Sequence, residues 1–258
     1  MLFRSLRTAD KWQPFPEEIN RRMAGVVADL HFAPTEHSRQ NLLREGIPAR
    51  QIVLTGNPVI DALRQIVARP APQEVQQLLA EIGIGRDGRQ LALVTAHRRE
   101  NFGLPLEQIC AGLRTLAEQQ PNLHLVYPVH LNPNVQQPVY RLLGEVPNIH
   151  LLPPLDYLSL VHLMKASVLV LTDSGGIQEE ATGLGVPTLV LREVTERPEG
   201  VEAGVLKLVG ADAQRIAQTA CHLLQDPHAY QQMAKAANPF GDGHAAEKIV
   251  AALLAYDE

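Results

Sequence analysis

Short apolar runs alternate with amphipathic stretches along this chain from about residue 88 onward. The runs are rich in β-branched residues and have the length of buried strands, whereas the stretches between them repeat their apolar positions with a helical period. This alternation is typical of an α/β fold with a doubly wound parallel sheet. The predicted strands are 90–95, 123–127, 149–152, 166–172, 187–191 and 205–209. The predicted helices are 106–118, 135–143, 157–165, a segment that ends near 183, 212–224 and 229–237.

The first part of the chain has a different pattern. Helices are predicted at 16–27, 36–45 and 73–84, but only 52–55 forms a convincing strand. Helices without a sheet to cover them expose apolar faces, so we expect this part to be poorly stable or to associate. We therefore expect three parts: residues 1–65 as the remnant of an N-terminal α/β domain, 66–238 as a Rossmann-like domain, and 239–258 as a C-terminal helix that packs back toward the N-terminal part.

Composition and net charge limit the kinds of molecule that this chain could bind. The 258 residues are 45% hydrophobic and 20% charged, and the net charge of −5 argues against nucleic acids and anionic membranes as partners. Any bound phosphate must therefore be held by a few nearby groups and not by a broad basic surface. Cys110 and Cys221 lack metal-ligand spacing, which fits reduced thiols in a cytoplasmic protein. No apolar run approaches the ~20 residues that span a bilayer.

The segment Asp173-Ser174-Gly175-Gly176-Ile177-Gln178-Glu179-Glu180 is the most informative stretch. It joins a buried strand to a helix, where unpaired backbone N–H groups bind anions. Glycines let a phosphate approach the backbone closely, and the carboxylate one turn later could accept hydrogen bonds from a ribose. The segment suggests a nucleotide diphosphate site, which would make 66–238 a nucleotide-binding domain. A plain turn with glycines for packing is the alternative.

Other candidate residues also follow predicted strands. His97, beside Arg98 and Arg99, ends one strand, and His130 ends the next. Such histidines could serve acid–base chemistry or clamp a phosphate. Solvated loop charges are one alternative, and a zinc site is another, although no third ligand is evident.

Two further charged segments have both a functional and an ordinary interpretation. Glu17 and Glu18, with Arg21 and Arg22, lie at a predicted helix start, where acidic residues also serve ordinary helix initiation. Arg197 follows a strand and could bind a phosphate with two N–H groups, or lie in a surface turn.

Taken together, the motifs of this chain resemble those of the non-hydrolysing UDP-N-acetylglucosamine 2-epimerases. They occur in the order of that family and cover nearly the whole chain. The motifs are Pro16-Glu17-Glu18 with Asn20-Arg21, Thr55-Gly56-Asn57 with Val59-Ile60-Asp61, His97-Arg98-Arg99-Glu100-Asn101, Tyr127-Pro128-Val129-His130, the segment from Ser174 to Glu180, Thr195-Glu196-Arg197-Pro198-Glu199, and Asn238-Pro239 with Gly241-Asp242-Gly243.

The resemblance implies a two-domain fold of the glycosyltransferase-B type with the substrate in the interdomain cleft. It implies interconversion of UDP-GlcNAc and UDP-ManNAc: a base removes the C2 proton, UDP leaves C1 by anti elimination, and the bound 2-acetamidoglucal and UDP recombine. It implies no cofactor and no metal, a possible homodimer, and a supply of UDP-ManNAc for bacterial envelope glycans.

The resemblance also assigns roles to residues. Glu17 and His97 would be catalytic, with His97 beside the phosphates, where it stabilises departing UDP. Leu155 and Leu160 would flank the uracil. The remaining substrate-binding residues would be Arg21, Ser174, Gly175, Gly176, Glu180 and Arg197.

The match breaks near the start of the chain. The family begins with a long segment that this sequence does not contain, and Phe3 stands where the family motif Glu-Ala-Gly-Leu-Arg-Thr has its catalytic Glu. Three interpretations follow: an epimerase that lacks the first part of its N-terminal domain and turns over poorly or not at all, a UDP-sugar-binding module or fragment, and a glycosyltransferase of the same fold. The epimerase-type His97-Arg98-Arg99-Glu100 motif argues against the last.

Overall fold

The computed structural model describes residues 2–3, 12 and 16–256. The chain divides into two compact units, of which unit 1 comprises Met1–Gln65, Glu196–Gly200 and Asn238–Glu258, and unit 2 comprises Ile66–Thr195 and Val201–Ala237. The strands, in chain order, are β1 (Leu2–Phe3), β2 (His31–Ala33), β3 (Ile52–Leu54), β4 (Gln90–Thr95), β5 (Leu123–Pro128), β6 (Ile149–Leu152), β7 (Leu169–Thr172), β8 (Thr188–Val190) and β9 (Leu206–Leu208).

Twelve α-helices connect and cover these strands within the described part of the chain. None of them is long and apolar enough to cross a membrane. They are α1 (Glu17–Val27), α2 (Glu36–Arg44), α3 (Pro58–Val67), α4 (Gln73–Ile82), α5 (Leu104–Gln119), α6 (Pro133–Leu143), α7 (Tyr157–Ala166), α8 (Gly175–Gly183), α9 (Pro198–Glu202), α10 (Ala213–Gln225), α11 (Pro227–Ala234) and α12 (Ala245–Leu254).

Unit 2 is built on a six-stranded parallel sheet in the order β6-β5-β4-β7-β8-β9. Counted from β4, this is the 3-2-1-4-5-6 order of doubly wound dinucleotide-binding folds. The predicted α/β class and doubly wound sheet are confirmed. Because the chain leaves β4 in one direction and returns to β7 on its other side, a crevice opens at the carboxyl ends of these two strands, where such folds bind ligands.

Strand β4 shows why this sequence makes a central strand. Leu91 and Leu93 belong to one hydrophobic cluster, and Ala92 and Val94 belong to another, so side chains of both orientations are buried. A strand that buries both faces is typical of parallel sheets with helices on either side. The result is a rigid scaffold that fixes the position of the loop following β4.

Unit 1 has a three-stranded parallel sheet in the order β1-β2-β3. Helix α12 packs on it, since Ala245 and Ile249 cluster with Leu30 and Phe32. The Asp61 carboxylate accepts hydrogen bonds from the first backbone N–H groups of α12, at 3.1 and 2.8 Å. Acidic side chains stabilise helix N-termini, so this contact holds the first turn of α12 against α3.

The structure differs from the predicted layout in unit 1. Strand β2 and helices α3 and α9 were not predicted, and residues 196–200 belong to unit 1 rather than to the nucleotide-binding domain. Tertiary contacts are the reason for the last difference. Glu196 lies 3.4 Å from Arg21, and Glu199 accepts a hydrogen bond from Thr35, so this short segment is held by residues far away in sequence.

Helix α1 carries apolar side chains on its surface. Met23, Val26 and Val27 are exposed by 65, 85 and 80%. Exposed apolar groups of this size on one helix are a common origin of association. The predicted tendency of this part of the chain to associate therefore has a physical basis in α1.

Thr35 is expected to be one of the main determinants of stability in unit 1. Its hydroxyl caps α2 by accepting from Ser38 N and donates to the buried Glu199 carboxylate at 2.8 Å. Thr35→Ala removes the cap and leaves the buried Glu199 carboxylate without its hydroxyl donor. The free energy of unfolding in urea should therefore fall by about 2–4 kcal/mol. Thr35→Ser keeps the hydroxyl and is the matched control. Equal losses for the two variants would contradict this account.

Candidate functional site

Side chains from three neighbouring strand ends meet at the crevice of unit 2. His97 follows β4 and His130 follows β5, and their rings stack with centroids 5.3 Å apart and an interplanar angle of 18°. Thr95 and Thr172, the last residues of β4 and β7, share a hydrogen bond of 2.6 Å between their hydroxyls. These contacts fix the strand ends, so the segment after β4 starts from a defined position.

Asp173 organises the segment that contains His97. It is fully buried, directly after β7. Its Oδ2 accepts hydrogen bonds from the backbone N–H groups of His97 and Arg98, at 2.8 and 2.7 Å, and from the Asn101 side chain at 2.9 Å. Asn101 also donates to the carbonyl of Leu191. Asp173 thus ties the turn after β4 to the end of β7, and Asn101 ties it to the end of β8.

The N-terminus of α8 is open toward its surroundings. Ser174 is the N-cap residue, but its side chain does not cap the helix, and its own N–H is held by Thr172 Oγ1 at 2.9 Å. A Cβ placed on Gly176 would meet nothing within 4 Å. Since the first-turn N–H groups of a helix lack intrahelical acceptors, a phosphate can approach the backbone here.

Glu180 lies one turn into α8 and is 6% exposed. The hydroxyl of Tyr157 donates to its Oε1 at 3.0 Å. Burial and the neighbouring Glu180 carboxylate together raise the pKa of Tyr157. Leu155 and Leu160, on either side of Tyr157, are half-buried and pack against a hydrophobic cluster to which α8 contributes. Tyr157 therefore borders the side of α8 on which Glu180 lies.

The protonation of His97 is set by opposing influences. Burial lowers its pKa, the Asp173 carboxylate raises it, and His130 and Arg98 lower it further, with a net shift downward from the ordinary value. A neutral imidazole near neutral pH is the consequence. A bound diphosphate would add negative charge and favour the protonated form.

The remaining predicted site residues belong to unit 1. Glu17 is exposed at the first position of α1, whereas Glu18 is fully buried and lies 3.6 Å from Arg21 and 3.5 Å from Arg22. Arg197 is 3% exposed, and its guanidinium lies 3.1 Å from Glu196. Arg21 and Arg197 thus face the same carboxylate, that of Glu196.

The structure adds residues to the predicted set. Asp173, Asn101 and Tyr157 hold predicted site residues in place. In the sequence the first two were only members of motifs, and Tyr157 was only the start of a predicted helix. In the part of the chain that the structure describes, no group of three or more His, Cys, Asp or Glu could hold a metal ion. Residues 4–8 of the Phe3-Arg4-Ser5-Leu6-Arg7-Thr8 motif lie outside the described residues, and Phe3 pairs with Phe32 in the sheet of unit 1.

Comparison with known proteins connects this geometry to a family. The family model described as UDP-N-acetylglucosamine 2-epimerase matches residues 5–254. The UDP-N-acetylglucosamine 2-epimerase of Salmonella typhimurium is 50% identical over 253 residues, which cover 97% of this chain and 67% of the relative.

Solved structures agree with this assignment. A structure of UDP-GlcNAc 2-epimerase from Neisseria meningitidis bound to UDP-GlcNAc is 45% identical, with a TM-score of 0.91 over 98% of this chain and 68% of that one. The enzyme from Methanocaldococcus jannaschii, solved with UDP-GlcNAc and UDP, is 31% identical, with a TM-score of 0.79 over 98% of this chain and 67% of that one. This chain thus spans about two thirds of the length of these relatives. The resemblance stated from the motifs and the fold class that it implied are confirmed, and the chain belongs to the UDP-N-acetylglucosamine 2-epimerase family.

Proposed function

We propose that this chain binds UDP-GlcNAc and interconverts it with UDP-ManNAc. The observation that carries the proposal is the open N-terminus of α8 beside the His97 segment, at the point where the order of the unit 2 sheet reverses. Gly175 and Gly176 would hold the diphosphate with their backbone N–H groups, and Ser174 with its side-chain hydroxyl, which does not cap the helix. Glu180, positioned by Tyr157, would accept hydrogen bonds from the ribose.

The electrostatics of this site suit a reaction that expels a diphosphate. Elimination removes the C2 proton and breaks the bond between C1 and the diphosphate oxygen, so negative charge grows on departing UDP. Helix N–H groups and a protonated His97 stabilise that charge more in the transition state than in the ground state, which lowers the barrier. Addition of UDP and a proton to the opposite face of the glycal gives the epimer.

The base that removes the C2 proton must be a closely placed carboxylate. The family motif gives this role to Glu17, the first residue of α1. Arg21, one turn later on the same helix, would bind substrate, and Arg197 would add a charge-assisted contact. The reaction as proposed needs no redox cofactor, because the sugar leaves with the oxidation state with which it entered.

A second candidate function is binding of the UDP-sugar without turnover. The observation that favours it is Phe3, which stands where the family motif has its second catalytic Glu and which cannot move a proton. A glycosyltransferase of the same fold was the other alternative, and the match to the epimerase family along residues 5–254 favours epimerisation over it.

Exchange in heavy water tests the proposal. The chain is incubated with UDP-GlcNAc in heavy water, and we expect deuterium at sugar C2 together with UDP-ManNAc, both detected by NMR. Calorimetry with UDP runs in parallel. Binding of UDP without any exchange would reject the epimerase in favour of the binding module. Absence of both would reject the nucleotide site itself. A cytoplasmic location and a homodimer stay predictions.

A further inference from the structure

The carboxylate of Asp173 has one oxygen whose role the fold does not explain. Its Oδ2 is saturated by the three donors of the His97 segment. Its Oδ1 is buried and, among the described residues, has no hydrogen-bond partner. A buried anionic oxygen without a donor is unfavourable, so such an atom calls for an explanation.

His97 supplies that explanation. Its Nδ1 lies 4.0 Å from Asp173 Oδ1, and its side chain is 39% exposed and therefore able to adjust. A displacement of about 1 Å brings this pair into hydrogen-bond range, and such pairs are often long before a ligand binds. The groups that face His97 are Asp173 from the end of β7, His130 from the end of β5, and Arg98 in its own segment. Asp173 is the anion among them.

We propose that Asp173 is a positioning residue that holds the proton on Nδ1 of His97, so that Nε2 is the nitrogen that gains a proton when the diphosphate of UDP-GlcNAc binds. The inference rests on the proposed function for the identity of the ligand. In the complex the imidazolium would donate through Nδ1 to Asp173 and through Nε2 to the diphosphate. The protein takes up one proton from solvent in this step, and no covalent bond other than N–H forms.

The variant Asp173→Asn separates this role from a purely structural one. The amide oxygen of Asn can still accept from the three donors of the 97–101 segment, so the segment keeps its anchor. The amide NH₂ then faces Nδ1 of His97, which must become an acceptor, and the proton moves to Nε2. We expect ¹⁵N NMR to show the Nδ1–H tautomer in the parent chain and the Nε2–H tautomer in the variant.

Proton linkage gives a second readout. UDP-GlcNAc keeps two negative charges between about pH 5 and 8, where histidine titrates. Calorimetry at neutral pH in buffers of different ionisation enthalpy should show uptake of up to about one proton by the parent, because His97 is neutral when free. Asp173→Asn should show almost none and bind about tenfold more weakly, since a charged hydrogen bond is replaced by a neutral one.

Asn101→Ala is the matched control. It removes one donor from Oδ2 and loosens the same segment, but leaves Oδ1 and the tautomer of His97 as in the parent. An unchanged tautomer and unchanged proton uptake in Asp173→Asn would overturn the inference. If Asp173→Asn does not fold, an Nε2–H tautomer in the parent would overturn it by itself. If the parent does not bind UDP-GlcNAc, the proposed function fails, while the tautomers of the ligand-free proteins still decide the role of Asp173.

Discussion

Gly176→Asp is expected to weaken UDP binding by at least about 100-fold while the fold becomes no less stable. The carboxylate would occupy the open space over the second residue of α8 and repel the diphosphate from the N–H groups that hold it. The same carboxylate interacts favourably with the helix dipole, and the substitution replaces a glycine inside a helix. The free energy of unfolding should therefore rise by up to about 1 kcal/mol. Calorimetry with UDP and urea unfolding measure the two effects.

Gln214→Asp is the matched control for this experiment. Gln214 is exposed and is the second residue of α10, the same helical position that Gly176 has in α8. A carboxylate at this place has the same interaction with the helix dipole but not the gain from replacing a glycine, and it should leave UDP affinity within about twofold. Gly176→Ala, which adds volume without charge, should lie between the parent and Gly176→Asp. Full UDP affinity in Gly176→Asp would contradict a diphosphate site at α8.

The elements of unit 2 were predictable because their signals are local and repeated. The predicted strand 149–152 matches β6, and the predicted helix 157–165 matches α7 to within one residue. Buried parallel strands read as continuous apolar runs, and Asp156 at the N-cap of α7 marks the helix start. The doubly wound parallel sheet was predicted from the same alternation, whereas the order of its strands was not.

Unit 1 was predicted less well because its signals are short or distant. Strand β2 has only three residues, His31–Ala33, with a histidine at its start, and a run of this length does not separate strand from loop. Residues 196–200 look like a surface turn in sequence. Their assignment to unit 1 depends on Arg21 and Thr35, which lie more than 150 positions earlier.

The candidate site shows the same limit. The glycines of α8 and the histidines at the strand ends could be selected from type and position alone. The role of Asp173 could not, because its partners lie 72 to 76 positions away and are reached only when β4 and β7 pair. Burial also distinguishes Glu17 from Glu18, two neighbours of identical chemistry whose difference no sequence pattern records.

Glu17→Gln is expected to reduce exchange at sugar C2 by about 10²- to 10⁴-fold, the usual contribution of a general base. Because Glu17 is exposed, its substitution should change the free energy of unfolding by no more than about 0.5 kcal/mol. The affinity for UDP should stay within about threefold, since Glu17 is not among the residues proposed to hold the diphosphate or the ribose. Exchange in heavy water, urea unfolding and calorimetry measure the three quantities on one preparation.

Glu18→Gln makes the same chemical change one residue later and should have the opposite profile. Glu18 is fully buried between two arginines, so loss of its charge leaves Arg21 with Glu196 alone and should lower the free energy of unfolding by about 1–3 kcal/mol. Exchange per folded molecule should remain within about tenfold of the parent. A variant pair with these effects reversed would assign the base to the buried carboxylate, and Glu17 would then be only the residue that begins α1. The two variants therefore distinguish a catalytic role of the first turn of α1 from a structural role.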